Sequence, residues 1–454
     1  MNNTPNQKFK KIYIFLLIAV CIVGALLVAA LCCMLFSENF GVRSETMYIV
    51  AVLGISMVVL LSILLVAKLV ELHKMRSGVS ESVQEQNPKE TLQEGAGRFD
   101  GLSRIDRQRS SYTRSKYDNK ITLNELCEDF RNFAAGNLNL YYNIDDIRRF
   151  VAGMAVSHIL ILQGMSGTGK TSLAYAFGEY IDNTSTVIPV QPMWKERTDL
   201  IGYYNEFTKR FNETDLLKKM YEANYSKDIY ITVLDEMNIA RVEYYFAEFL
   251  SLLELPDAEN RNLSVVSDQW PDDPAQLKDG HIKLPENMWF IGTANNDDST
   301  FAISDKVYDR AMIMDLDQKA EPFIATKTKR VHITAQRFVE LSKKAIRKYG
   351  LTTRNRKRLE KLDEYMIEHF HVTFGNRIMK QINEYIPVYV SCGGEELEAL
   401  DDILCKKVMR KLSMQNPVYI HNSAEGFIQY INDLFGEDNM KLCKDFIRRL
   451  QKNV

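Results

Sequence analysis

The stretch Gly164-Met165-Ser166-Gly167-Thr168-Gly169-Lys170-Thr171 has the residue types and spacing of a phosphate cradle. Its glycines let backbone N–H groups turn inward around phosphate oxygens, and a helix starting at the loop's end adds the positive end of its dipole. In that setting Lys170 reaches the β- and γ-phosphates of a nucleoside triphosphate, and the Thr171 hydroxyl holds Mg2+. The competing reading is a structural glycine turn. Context disfavours it: Ile159-Leu160-Ile161-Leu162 before the loop reads as a buried strand, and Ser172–Gly178 after it as a helix.

Further along, Ile229-Tyr230-Ile231-Thr232-Val233-Leu234-Asp235-Glu236 is an apolar run ending in two carboxylates. A buried strand delivers both to the C-terminal edge of a parallel sheet, where ligands bind in open α/β folds. Asp235 is then placed to bind Mg2+ through water, and Glu236 to polarise the attacking water. Alone, the segment is equally a strand followed by an acidic loop; the phosphate loop upstream weakens that reading. Met288-Trp289-Phe290-Ile291-Gly292-Thr293-Ala294-Asn295 is another strand ending in a polar residue, with Asn295 placed to orient the water or touch the γ-phosphate. Asp305-Lys306-Val307-Tyr308-Asp309-Arg310 puts an arginine just before a further strand. A guanidinium reaching a neighbouring subunit's γ-phosphate stabilises charge that develops in the transition state, a factor of ~10³–10⁵ in rate. Phe374-Gly375-Asn376-Arg377 opens a later helix, from which Arg377 is placed to report nucleotide state.

These side chains need a scaffold that gathers strand ends. Candidate strands are His158–Leu162, Val187–Gln191, Ile229–Leu234, Met288–Gly292 and Ala311–Asp315, with helical stretches between them. That alternation predicts a parallel sheet covered by helices, an α/β nucleotide-binding domain over residues 121–330. From Ala335 on the apolar periodicity is helical, in Ala335–Tyr349, Arg358–Phe370, Arg377–Tyr385 and Leu400–Leu412. It predicts an all-α lid over residues 331–454, a subdomain separate from the core.

Ahead of this, Ile12–Phe36 carries no charge and Met47–Val70 only Lys68. Each exceeds the ~20 residues that cross a bilayer as a helix. Lys8, Lys10 and Lys11 before the first and Lys68, Lys74 and Arg76 around the end of the second predict a two-span membrane hairpin over residues 1–76 in the cell membrane. Both termini then lie in the cytoplasm. Residues 77–120 are polar and read as a flexible tether. Their basic residues, Arg114 among them, could lie on anionic lipid, with a solvated linker the favoured reading. A net charge of −2 over 454 residues gives no global footprint for nucleic acid. The seven cysteines form no C-x-x-C pair, against a zinc site or a disulfide framework. Arg354, Arg356, Lys357 and Arg358, after Lys343, Lys344, Arg347 and Lys348, make the start of the lid strongly basic. A solvated helix face is the favoured reading there, a nucleic-acid or partner surface the alternative.

Together the motifs resemble the AAA+ family over about Leu140 to Leu412, within it the branch of the MoxR chaperones and McrB, the nucleotide-driven subunit of methylation-dependent restriction systems. Val190-Gln191-Pro192-Met193-Trp194, Asp199–Tyr204, Asp235–Arg241 with Phe249–Glu254, Gly292–Asn295 with Asp298–Thr300, and Glu398–Asp401 with Lys406–Val408 and Lys411–Leu412 look closer to the McrB side. The likeness assigns Walker A to Gly164–Thr171 and Walker B to Asp235 and Glu236. It makes Asn295 sensor 1, Arg310 the arginine finger acting in trans, and Arg377 sensor 2. It implies ATP with Mg2+ as ligands, GTP being the alternative because McrB prefers it. It also implies a homo-oligomeric ring, a hexamer by that likeness, driving an effector such as a McrC-like nuclease. A MoxR-like chaperone acting on a protein client is the other reading. McrB carries a DNA-reading domain at its N-terminus where this chain has two apolar segments and a polar stretch, a departure that counts against direct DNA recognition by this chain.

Overall fold

The computed structural model describes residues 97–452, apart from residues 115, 119, 296–299 and 318. Five strands form a parallel sheet: β1 (Ile159–Gly164), β2 (Thr186–Pro189), β5 (Tyr230–Asp235), β8 (Met288–Asn295) and β9 (Met312–Asp315), in the order β2-β5-β8-β1-β9. Two antiparallel hairpins project from it, β3 (Gly202–Asn205) with β4 (Arg210–Glu213), and β6 (Asn262–Ser264) with β7 (His281–Lys283). All five sheet strands agree with the expected ones to within a few residues. The apolar runs of β1, β5 and β8 reflect burial on both faces, whereas the edge strand β2 is half-exposed. Side chains alternate across the pleat, so Leu160, Leu162, Ile231, Val233, Trp289 and Ile291 enter one hydrophobic cluster. Ile159, Ile161, Tyr230, Leu234, Met288 and Phe290 enter another on the opposite face.

The helices used below are α1 (Asp100–Arg107), α2 (Leu123–Leu138), α3 (Ile144–Val156), α4 (Lys170–Tyr180), α5 (Asp215–Ala223), α6 (Ala335–Lys348), α7 (Thr353–Phe370), α8 (Gly375–Ser391), α9 (Glu396–Lys407), α10 (Pro417–Phe435) and α11 (Lys441–Lys452). Their starts follow local chemistry. Thr122 and Glu125 close a reciprocal capping box on α2, and Thr334 and Thr352 cap α6 and α7. Pro417 stands in the first turn of α10, where no N–H is needed.

Two expectations about organisation change. The C-terminal helices form no separate core: Ile378, Ile382, Leu400, Leu404 and Phe427 belong to the same cluster as Phe150, Phe177 and Trp289 on one sheet face. The sequence shows helix periodicity but not which surface the apolar stripes meet. Residues 97–112 are also no tether. Helix α1 buries Leu102 and Ile105, Phe99 stacks on Phe211 with centroids 5.0 Å apart, and Glu213 accepts the N–H groups of Gly101 and Leu102 at 2.6 and 2.7 Å. Arg98 bonds Asp273 at 2.7 Å and Asp268 at 3.0 Å and lies 4.5 Å from the Trp270 ring centre. Arg114, expected in a solvated linker with anionic lipid as the alternative, is held by Asp182 at 2.7 Å and Asp228 at 3.0 Å. A helix this short shows no periodicity in sequence; the hairpins supply the surface that orders it.

The membrane placement is also corrected. The segments at residues 12–36 and 47–70 lie outside the described residues, and among the described residues no helix is long and apolar enough to cross a membrane. The long helices keep one polar side instead, as in α7, where Glu360, Glu364 and Glu368 are exposed. A two-span membrane protein is therefore not supported.

Candidate active site

The phosphate loop leaves β1 at Gly164 and enters α4 at Lys170. Gly164, Gly167 and Gly169 take φ of 142°, 78° and 94°, a region that favours glycine. A Cβ on Gly164 would meet the Leu316 carbonyl oxygen at 2.5 Å, so the turn itself requires glycine. Lys170 Nζ donates to the carbonyls of Gly164 at 3.0 Å and Met165 at 2.7 Å. Tyr142, which no motif marks, donates from its hydroxyl to the Gly169 carbonyl at 3.1 Å. Burial pushes its phenol well up, so it remains a donor.

Parallel pairing sets the remaining groups. Gly164 lies opposite Asn295, and Leu234 opposite Gly292, so Asp235, Glu236 and Asn295 reach the same C-terminal edge as the loop. Thr171 Oγ1 donates to Asp235 Oδ1 at 2.6 Å, and Thr293 Oγ1 to the same oxygen at 2.8 Å. The Glu236 N–H donates to Thr293 Oγ1 at 2.8 Å. Thr293 therefore ties both carboxylate positions to β8, a role hidden inside the Gly-Thr-Ala-Asn string. Glu236 sits at φ 52° and ψ 46°, a left-handed conformation that costs a non-glycine residue about 1–3 kcal/mol. This turn directs its carboxylate out of the strand, and Asn295 Nδ2 approaches its Oε1 at 3.5 Å. Asn238 fixes Asn295 from behind. Its Nδ2 donates to the Asn295 carbonyl at 2.8 Å, and its Oδ1 accepts the Asn295 N–H at 3.3 Å.

This set fits the groups expected of it. The loop offers backbone N–H groups and Lys170 to phosphate. Thr171 and Asp235 offer hard oxygens of the kind Mg2+ takes.

The two arginines stand elsewhere. Leu160, near the start of β1, pairs with Met312, the first residue of β9, so Arg310 in the turn just ahead lies toward the N-terminal ends of the strands, while the phosphate loop leaves β1 at its C-terminal end. Ser157 Oγ donates to the Arg310 carbonyl at 3.0 Å, fixing it at that opposite edge. Arg310 therefore lies far from its own phosphate loop. Its guanidinium bonds Glu254 at 2.7 Å, and Arg377 bonds the other oxygen of Glu254 at 2.5 Å. The turn carrying Arg310 is clasped by the C-terminal helices. Lys407 Nζ donates to the Tyr308 carbonyl at 2.7 Å and to that of Ala311, Gln381 Nε2 to the Asp309 carbonyl at 3.3 Å, and Arg410 bonds Asp305 at 2.5 Å. Of these, Glu254 and Lys407 fell inside strings that the sequence singled out, without a signal that marked them separately.

A phosphate loop at the end of β1, with acidic and polar ends of β5 and β8 beside it, has the parts of a P-loop nucleoside-triphosphate site. Residues 159–311 match the model of the AAA domain, dynein-related subfamily. Residues 325–454 match a domain of unknown function. No curated protein matches the chain. Among solved structures, a candidate ATPase from Cytophaga hutchinsonii is similar at 14% identity and a TM-score of 0.43, over 67% of this chain and 88% of that one. A full-length MCM homolog from Methanopyrus kandleri is similar at 11% identity and a TM-score of 0.36, over 62% and 58%.

Proposed function

We propose that this chain hydrolyses ATP with Mg2+ at sites completed by a second copy of itself in a ring, and that hydrolysis drives a partner protein. The observation that carries the reading is the position of Arg310, at the sheet edge opposite its own phosphate loop and just ahead of the last strand. From there it serves a neighbour's site, not its own. In each site Lys170 and the loop N–H groups bind the β- and γ-phosphates. Thr171 and Asp235 hold Mg2+, which when bound neutralises charge developing on the phosphate oxygens. Glu236 accepts a proton from the attacking water, and Asn295 orients that water from the side. Arg310 of the adjoining copy stabilises charge on the transferred group. Arg377, sharing Glu254 with Arg310, acts at the same junction. Because Lys407, Gln381 and Arg410 hold the Arg310 turn, movement of the C-terminal helices and of the arginine is coupled.

The McrB-like strings favour a restriction or defence motor acting on an effector of the nuclease type. GTP remains the alternative to ATP, since every contact named so far is to phosphate. The test is affinity capture of the Glu236→Gln protein with ATP or GTP, followed by mass spectrometry. This variant should hold the triphosphate and its partner. A nuclease in the eluate supports the motor reading, and a client without a nuclease moves it to a MoxR-like chaperone.

A further inference from the structure

We infer that the basic surface formed by the last turn of α6 and the first turn of α7 is a docking site for the phosphate backbone of double-stranded nucleic acid. Eight cations, Lys343, Lys344, Arg347, Lys348, Arg354, Arg356, Lys357 and Arg358, fall between residues 341 and 359 without one intervening Asp or Glu. All but the half-buried Arg358 are exposed. The buried residues of α6, among them Phe338, Leu341 and Ala345, put Lys343, Lys344, Arg347 and Lys348 on the opposite side. They recur one and four residues apart, so like charges stack along one face.

This arrangement is costly for the protein alone. Like charges one turn apart repel, and the first turn of α7 carries Arg354, Arg356 and Lys357 with no acidic residue, at the positive end of its dipole. Among the described residues none of the eight forms an ion pair. Glu396, which packs at the start of α7, directs Oε1 to the Thr352 N–H at 2.9 Å and to Asn355 Nδ2 at 3.0 Å, not to a cation of the patch. Burial and then the charge of Arg354 hold the Arg358 guanidinium below its ordinary value, the direction expected where a countercharge is missing.

The exposed neighbours choose the partner. They are Gly350, Thr352 and Thr353, small or hydroxyl-bearing residues that admit a phosphate. No large apolar side chain is exposed between residues 341 and 359, so the surface lacks the apolar face that seats a helix in a lipid interface. Tyr349 is half-buried with Lys348 Nζ 4.7 Å from its ring centre, so no free aromatic platform exists here for stacking single-stranded bases. Exposed cations beside small and hydroxyl-bearing residues, with no apolar or aromatic contact surface, match a sequence-independent contact to a duplex backbone.

The experiment titrates the full-length protein into a fluorescein-labelled 25-base-pair duplex of mixed sequence and reads anisotropy from 50 to 200 mM salt. For about six neutralised phosphates, affinity should fall on the order of 10³-fold across that range. Two triple variants, Lys343→Gln/Lys344→Gln/Arg347→Gln and Arg354→Gln/Arg356→Gln/Lys357→Gln, should each reduce the log–log salt slope by about 3. Both should keep basal NTP hydrolysis, which checks that they fold. Unchanged slopes in both folded variants overturn the inference. So does binding of the wild type to phosphatidylserine vesicles, lost in the variants, with no duplex binding.

Discussion

Arg310 and Arg377, 67 residues apart in the chain, share one carboxylate: each takes a different oxygen of Glu254, at 2.7 and 2.5 Å. Arg310 is largely buried, its side chain 17% exposed, and its Nε has no partner among the described residues. Glu254 is the countercharge that lets that guanidinium sit there in one orientation. Glu254→Gln should therefore lower kcat about tenfold, ~1.4 kcal/mol of transition-state stabilisation, while KM for ATP is unchanged. A raised KM with unchanged kcat in steady-state assays would refute a positioning role.

Arg310→Ala should bind nucleotide normally and hydrolyse it ~10³-fold or more slowly. Its sites keep Glu236, so they need only a finger from outside. Mixing it with Glu236→Gln subunits, which keep Arg310 but have no base, should restore turnover. Two inactive proteins that stay inactive together would show that Arg310 does not act across a subunit boundary.

Thr171 and Thr293 both donate to Asp235 Oδ1. Asp235→Asn removes the charge but keeps the shape. It should abolish the Mg2+ requirement together with hydrolysis, a loss of ~10²-fold or more, and weaken nucleotide binding far less than Lys170→Ala does. Calorimetry with and without Mg2+ separates the two. Tight binding retained by Lys170→Ala would sink the phosphate-loop assignment.

Burial pushes the Lys407 ammonium down to about 7 from an ordinary 10.5. Between those values the folded lysine is neutral and the unfolded one charged. The unfolded state then binds more protons, and stability rises with pH. Below about pH 7 both forms are charged and the contribution is flat. Thermal unfolding from pH 6 to 9 should show a rise above pH 7 with a slope approaching ~1.4 kcal/mol per pH unit. Lys407→Met should lose that rise. Equal pH dependence in both proteins would show that Lys407 is not its source.

The buried pair Arg98–Asp273 fastens α1 to the hairpins, with side chains 2% and 1% exposed. Arg98→Ala leaves Asp273 buried without its partner and should cost about 3–5 kcal/mol. Limited trypsin digestion is the direct readout, with new cleavage at Arg104 and Arg107. Wild-type resistance at those sites in the variant would mean that α1 holds without the clasp.

The sequence by itself determined the parts of this protein that are local. Glycine spacing fixes the phosphate loop, because only those backbone angles and that absent Cβ allow the turn. Apolar strands ending in Asp235, Glu236 and Asn295 fix the edge at which the candidate site lies, because a buried strand can release polar side chains only at its end. Tertiary structure decided what depends on residues far apart in the chain. It set β8 between β1 and β5, so that Thr293 links the two carboxylate positions. It brought Arg377 to Arg310 instead of to Lys170, and ordered residues 97–112 on two hairpins. It also merged the C-terminal helices with one face of the sheet. Periodicity says that a face is apolar but not what it meets. An ion pair such as Arg310–Glu254 leaves no mark in sequence, because any exposed arginine and glutamate look the same until the chain has folded.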